Sequence, residues 1–358
     1  MMGISRRGFV RKAALGSAAL SLAGNIQACT SSHSRDESKI LNAYYFRAHM
    51  YTMVPRQVRE DLSWMADIGT NVVSIAILEQ DLRAAVENVE IIVNEANKFG
   101  MEVFVVPSRW GGLLAGAPKV PSVFTIQNPD TWMLKEDGSF YEDRDVGTHS
   151  SIHYESTIDF FKAGIDKIFE LWNVKGIIWD EPKIYDKKDY SAEAKKNIND
   201  LEDLNQHNTA FSSFLGSLNQ HIRQKHPSKT TSLFAYAHWR KEVIDSMAGI
   251  EELDYFGCDG RPWPMEAEAG GKVKQTGKNL LGGPGKNYIK AAHSNGKKSL
   301  LVIENHNMPA EYNTLMDKYL PEIMALKPEQ LIYYYYPRNV DKPDENMAFL
   351  AKNLKNFR

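Results

Sequence analysis

The sequence predicts a single-domain (β/α)8 barrel, the TIM-barrel class of α/β fold, on three observations. From Ile40 onward, eight apolar, β-branched or aromatic runs alternate with amphipathic stretches. No segment between them is large enough to build a second core. No glycine fingerprint follows the first run, as it would in an open doubly wound sheet that cradles a dinucleotide.

The elements follow in order. Ile40 to Phe46 reads as the first strand and Pro55 to Asp67 as its helix, with proline at the first helical position. Asn71 to Leu78 is the second strand, and a helix from Gln80 to Phe99 ends at Gly100, where a left-handed cap suits glycine. Met101 to Val106 is the third strand. A long excursion, Ser108 to His153, separates it from a helix over Glu155 to Trp172. Gly176 to Asp180 is the fourth strand, followed by a charged loop and a helix from Glu193 to Gln224. Thr230 to Ala237 is the fifth strand, Lys241 to Ala248 its helix and Leu253 to Gly257 the sixth strand. A flexible glycine-rich loop, Gly270 to Gly285, leads to a helix that Gly296 terminates. Gly282-Gly283-Pro284-Gly285 follows no strand and lacks the lysine and serine of a phosphate loop. Ser299 to Ile303, Glu311 to Leu326, Gln330 to Tyr336 and Glu345 to Asn356 complete the last two units.

Composition supports one large core. Hydrophobic residues are 43% and charged residues 25% of the 358, an ordinary globular balance that excludes a mainly disordered chain. A formal net charge of -2 gives no basic footprint, so no nucleic-acid partner is expected. Aromatics at 11% suit a flat-faced ligand such as a sugar.

Residues 1–29 read as an address rather than as structure. Ser5-Arg6-Arg7-Gly8-Phe9-Val10, followed by the weakly apolar Ala13 to Gly24, resembles a twin-arginine export signal. Ile26-Gln27-Ala28-Cys29 resembles a bacterial lipobox, with Gln27 departing from the usual small residue, so Cys29 is the expected lipidation site. The polar segment 30–39 is then a tether, and the chain an exported periplasmic or cell-surface lipoprotein. Its membrane contact is confined to that anchor, since no apolar run is long enough to span a bilayer. Cys258 is the only other cysteine, leaving no disulfide once Cys29 carries lipid.

In a barrel the C-terminal strand ends converge on one mouth, so distant residues meet there. The first strand delivers Arg47, His49 and Tyr51; the third Arg109 and Trp110; the fourth Asp180, Glu181 and Lys183. The fifth brings Tyr236, His238 and Trp239; the sixth Asp259, Arg261 and Trp263. The seventh adds Glu304, Asn305, His306 and Asn307, and the eighth Tyr336, Arg338 and Asn339. The sharpest segment is Gly176-Ile177-Ile178-Trp179-Asp180-Glu181-Pro182, where an apolar run ends in two adjacent carboxylates. Alternation should turn only one of them to the mouth, with the other held beneath by an arginine or a backbone amide. Leu300-Leu301-Val302-Ile303-Glu304 repeats the arrangement. Trp110, Trp132 and Tyr141 in the long third loop are expected to wall the mouth, whereas Trp64 and Trp172 occupy helical core positions.

A glutamate closing the fourth strand and another closing the seventh resembles the retaining glycoside hydrolases of clan A. The resemblance implies Glu181 as acid/base and Glu304 as nucleophile on a carbohydrate substrate. No cofactor or metal is assigned and a monomer is expected, while export of folded chains by the twin-arginine route keeps a bound metal open. Asp180 stands where that clan commonly has asparagine, and the eighth strand ends in tyrosines where a tryptophan is frequent. Two rival readings accompany it. One is a divalent-metal sugar isomerase or epimerase of the xylose-isomerase type, assembled from Glu181, Asp259, His238 and His306. The other is a barrel that binds glycans without cleaving them, marked by carboxylates held in salt bridges.

Overall fold

Eight parallel strands close on themselves in the computed structural model. It describes residues 39–357 apart from 51, 117, 144–145, 264, 269–271 and 276–278, and apart from the side chains of 265–268 and 272–275. The signal reading with Cys29, the tether up to residue 38, and Tyr51 lie outside the described residues.

The barrel strands are β1 (Ile40–Tyr45), β2 (Val72–Ile77), β3 (Glu102–Pro107) and β4 (Gly176–Asp180). β5 (Thr230–Tyr236), β6 (Tyr255–Gly260), β7 (Lys298–Ile303) and β8 (Gln330–Tyr334) follow. Each pairs with its sequence neighbour, and β8 closes the ring on β1 with Gln330 beside Ile40. The main helices are α1 (Pro55–Asp67), α2 (Val86–Lys98), α3 (Glu155–Leu171) and α4 (Leu204–Lys225), then α5 (Lys241–Ala248), α6 (Pro284–Ser294), α7 (Leu315–Ala325) and α8 (Pro343–Leu354). One follows each strand, as the alternation of patterns requires. Among the described residues no helix is long and apolar enough to cross a membrane.

Two expected helices are broken. The run from Gln80 splits at Ala85, whose φ of -135° leaves the helical region. The four residues before it, Asp81–Ala84, form a separate turn whose Asp81 carboxylate accepts from the Leu78 amide at 2.6 Å. The run from Glu193 likewise breaks after Asn197, and α4 restarts where Asp203 caps it by accepting from the Asn205 amide at 2.9 Å. β6 runs three residues beyond the expected Gly257, because Cys258, Asp259 and Gly260 stay in register with Leu301, Val302 and Ile303. β8 stops at Tyr334, two residues early, and Tyr336 turns to a φ of +45°. Part of the glycine-rich segment is ordered as an antiparallel pair, Met265–Glu268 with Lys272–Gln275, rather than as a wholly irregular loop.

Two apolar layers hold the fold. The lumen is packed with alternate strand residues, among them Tyr44, Ala76, Val106, Ile178, Phe234, Val302, Ile332 and Tyr334. Their neighbours in sequence face outward into a larger core between strands and helices. Each fully buried side chain of this size contributes roughly 1.5–3 kcal/mol of transfer free energy. With the lumen filled, the strand ends at its C-terminal side are where the loop residues can meet around a cavity.

Candidate active site

A cavity of about 610 Å³ opens at that end. Strand parity explains its floor. Residues 300 and 302 of β7 face the lumen, so two residues on Glu304 also points in, its amide still bonded to the Gly260 carbonyl at 3.0 Å. The same parity places Asp259 at the end of β6, Tyr236 at the end of β5, and Tyr44 with Phe46 on β1. Asp259 is 1% exposed.

The adjacent pair on β4 departs from expectation. Asp180 and Glu181 both line the cavity, although alternation predicts one. Glu181 adopts a φ of +36°, a left-handed twist that turns its side chain back toward the mouth. Such strain in a non-glycine residue clusters at functional sites. Among the described residues Asp180 is held by neither an arginine nor an amide; its Oδ2 accepts from the Tyr44 hydroxyl at 2.8 Å. Burial, and then the neighbouring Glu181 charge, raise its pKa from 3.8 to about 7. Asp180 therefore keeps its proton up to about neutrality.

Glu181, Asp259 and Glu304 converge, each offering an oxygen within 4.8 Å of the other two. Two cations attend them. The Lys183 ammonium donates to Glu181 Oε2 at 2.6 Å and also to the Tyr236 hydroxyl. Arg261, 2% exposed, lies with Nε 3.7 Å from Glu304 Oε2. Its Nη1 donates to the Glu304 carbonyl at 2.6 Å and to the His306 carbonyl, clamping the end of β7.

The remaining residues expected at the site divide. Arg109, Asp180, Glu181, Tyr236, Glu304, His306, Tyr336 and Arg338 line the cavity, with Asp259 in the carboxylate cluster. Arg47 instead pairs with Asp61 at 2.7 Å on α1, and His49 with Asp81 at 2.7 Å, because both lie past the strand end in a loop that folds outward. Trp110 and Trp263 are fully buried in the outer core. Trp110 packs so closely on α3 that a Cβ on Gly164 would sit 2.3 Å from its ring. Trp132 donates to the Thr125 carbonyl at 2.8 Å and stacks edge-on with Phe140, away from the cavity. His238 and Trp239 stack beside Tyr236 but do not line the cavity. Asn305 points out by parity and is buried, bridging to the Tyr334 backbone and to Asn346.

The long third loop does wall the mouth, but through Arg109, Gly116, Lys119, Asp143, Val146 and His149 rather than its tryptophans. Lys187, from the loop after β4, joins them and donates to His149 Nε2 at 2.6 Å. His149 Nδ1 meets the Gly112 carbonyl at 2.5 Å, so the ring is neutral, with its proton on Nδ1. Burial and the Lys187 charge push its pKa down to about 4. Tyr44, Phe46 and Tyr334 were legible by parity; Lys187 and His149 had only the charged, long-loop character of their segments as signal.

No protein-family model matches the chain, and no curated protein matches its sequence. Among solved structures it is similar to the β-amylase catalytic domain of Paenibacillus polymyxa, with TM-score 0.59 and 10% identity over 88% of this chain and 98% of that one. The endo-1,4-β-mannanase of Rhizomucor miehei gives 0.58 and 10%, over 89% and 94%. For α-L-fucosidase isoenzyme 2 of Paenibacillus thiaminolyticus the values are 0.57 and 12% over 89% of this chain, which spans 48% of that chain, about half its length. The barrel is thus one found in glycoside hydrolases, and at these identities the likeness establishes the architecture.

Proposed function

We propose that the chain is a glycoside hydrolase acting on an oligosaccharide or polysaccharide by a retaining mechanism, with Glu181 as acid/base and Glu304 as nucleophile. The observation that carries this reading is the convergence of Glu181 and Glu304 oxygens within 4.8 Å at the closed end of a sugar-sized cavity. Retention requires two carboxyl groups about 5–5.5 Å apart, whereas inversion needs about 6.5–9.5 Å to admit a water between them. Glu304 would attack the anomeric carbon from below, fixed by the Arg261 clamp on its backbone. Glu181, the more exposed of the two adjacent carboxyls, would deliver the proton to the leaving oxygen. Asp259 adds a third carboxyl group at the same point. Tyr44, Phe46, Tyr236, Tyr334 and Tyr336 offer sugar-contacting faces in place of the buried tryptophans. The solved barrels with this architecture that are glycoside hydrolases agree with the reading.

The test uses aryl glycosides with good leaving groups. Glu304→Gln should abolish turnover, and Glu181→Gln should abolish it until azide restores release as a glycosyl azide. Retained turnover in Glu304→Gln would refute the assignment. Chelation should leave the rate unchanged, because Lys183 and Arg261 already place positive charge against the three carboxylates that could otherwise hold a metal ion. A rate lost to chelation would favour the metal isomerase instead. Two observations support a non-cleaving glycan-binding barrel, the Glu181–Lys183 ion pair at 2.6 Å and the Arg261 guanidinium 3.7 Å from Glu304 Oε2. Sugar binding with no turnover of any glycoside would select it. We also propose that the protein works outside the cytoplasm, from the Arg6-Arg7 and Cys29 pattern.

A further inference from the structure

The rim of the cavity carries positive charge that the proposed chemistry does not use. Five cationic side chains line it, Arg109, Lys119, Lys183, Lys187 and Arg338, against the carboxyls of Asp143, Asp180, Glu181 and Glu304. Lys183 is paired with Glu181. Arg109, Lys187 and Arg338 have no carboxylate within ion-pair distance among the described residues. Among the described residues the Arg109 side chain donates to the Pro118 carbonyl alone, at 3.4 Å, and the residue holds a φ of +65° at the turn that brings it to the rim.

Lys187 is the most built of the three. It is half-buried, its ammonium lies 5.5 Å from the Tyr141 ring centroid, and its hydrogen-bond partner is the neutral His149. Removing an ammonium from water and giving it a neutral imidazole as hydrogen-bond partner is costly: burial lowers its pKa to about 8, although the charge of the nearby Asp143 carboxylate opposes the shift. A neutral sugar gains little from such a group, because hydroxyls are satisfied by neutral donors. A carboxylate or sulfate gains a charge-assisted hydrogen bond in a partly desolvated site.

We infer that the substrate is an acidic glycan, whose carboxylate or sulfate is received by Lys187 with Arg109 and Arg338 while the carboxylates on the cavity floor address the glycosidic bond. This rests on the hydrolase reading for what the floor does, but not for what the rim binds. Arg109 and Lys187 come from the loops after the adjacent strands β3 and β4, and Arg338 from the loop after β8, four strands round the ring from β4, so the cations stand on two sides of the opening.

The experiment measures calorimetric binding to the Glu304→Gln chain, which cannot turn substrate over, with matched oligosaccharides. Galacturonate, glucuronate and mannuronate tetramers are compared with their neutral galactose, glucose and mannose twins, and chondroitin sulfate tetramers with desulfated ones. At least one acidic member should bind about tenfold or more tightly than its twin. Added Lys187→Met should erase most of that ratio while Tm confirms folding, and a carboxylate or a sulfate preference identifies the anion. Equal or tighter binding of the neutral twins throughout, or no binding of any acidic member, overturns the inference. Cleavage of neutral glycans would then leave the hydrolase standing alone, whereas acid-selective binding without cleavage by the unmodified chain would sink the hydrolase and keep the inference.

Discussion

Replacing Asp180 with asparagine is the perturbation whose size the structure sets most directly. The carboxyl is buried, accepts from Tyr44, and has its pKa raised from 3.8 to about 7 by burial and by Glu181. Between roughly pH 4 and 7 the folded chain therefore holds a proton on Asp180 that the unfolded chain has released. The slope of stability with pH follows protons bound in the unfolded state minus those in the folded state. It is negative here, so this group makes the protein less stable as pH rises through that window. About three units at 1.36 kcal/mol each give roughly 4 kcal/mol by pH 8. Asparagine has nearly the shape of the protonated carboxyl, keeps an acceptor for Tyr44 and cannot ionise. Urea unfolding from pH 4 to 8 should show the stability of Asp180→Asn gaining on the parent chain by about 2–4 kcal/mol, with contributions from distant groups cancelling in the difference. A difference flat with pH, or moving in the parent's favour, refutes the claim that this carboxyl stays protonated.

Other predictions concern groups around it. Tyr44→Phe removes the hydroxyl that favours the Asp180 anion, so the loss of stability should move to higher pH in the same titration. Gly164→Ala forces a methyl into the Trp110 ring and should cost about 1–3 kcal/mol, read as a lower Tm without change in turnover per folded molecule. Arg261→Met unclamps the backbone at Glu304 and His306 and should lower kcat at least tenfold; an unchanged kcat would deny the clamp a role. Lysine at both Arg6 and Arg7 should retain the protein in the cytoplasm, as fractionation would show, and unaltered export would remove the twin-arginine reading.

The barrel was legible because eight apolar runs recur at intervals that admit one helix each, a signal that survives errors at element ends. The floor of the site was legible through parity alone: Glu304, Asp259 and Tyr236 each lie an even number of residues from a lumen side chain. Parity also sends Asn305 outward and brings in Tyr44 and Phe46, which a list of polar strand-end residues passed over. Glu181 escaped the rule because its twist is a property of φ, which glutamate rarely reveals in sequence. The tryptophans misled for a simpler reason. A large indole close to a strand end can fill the space between barrel and helix layer as readily as it can face a sugar, and Trp110 and Trp263 do so. Lys187 and His149 meet only because two separate loops fold over the same opening, and no local pattern encodes that meeting.

The amides beside Glu304 reach well beyond the mouth. Asn305 bonds to both backbone groups of Tyr334 and to Asn346 on α8, and Asn346 donates on to Asn313 ahead of α7, all of them buried. The tip carrying Glu304 is thus levelled against the outer helices as well as against its neighbouring strands. Rigidity at the reaction centre is borrowed from the periphery, so a substitution on the far side of α8 that tilts the helix can reach the chemistry as a slower turnover, with no residue in the cavity changed.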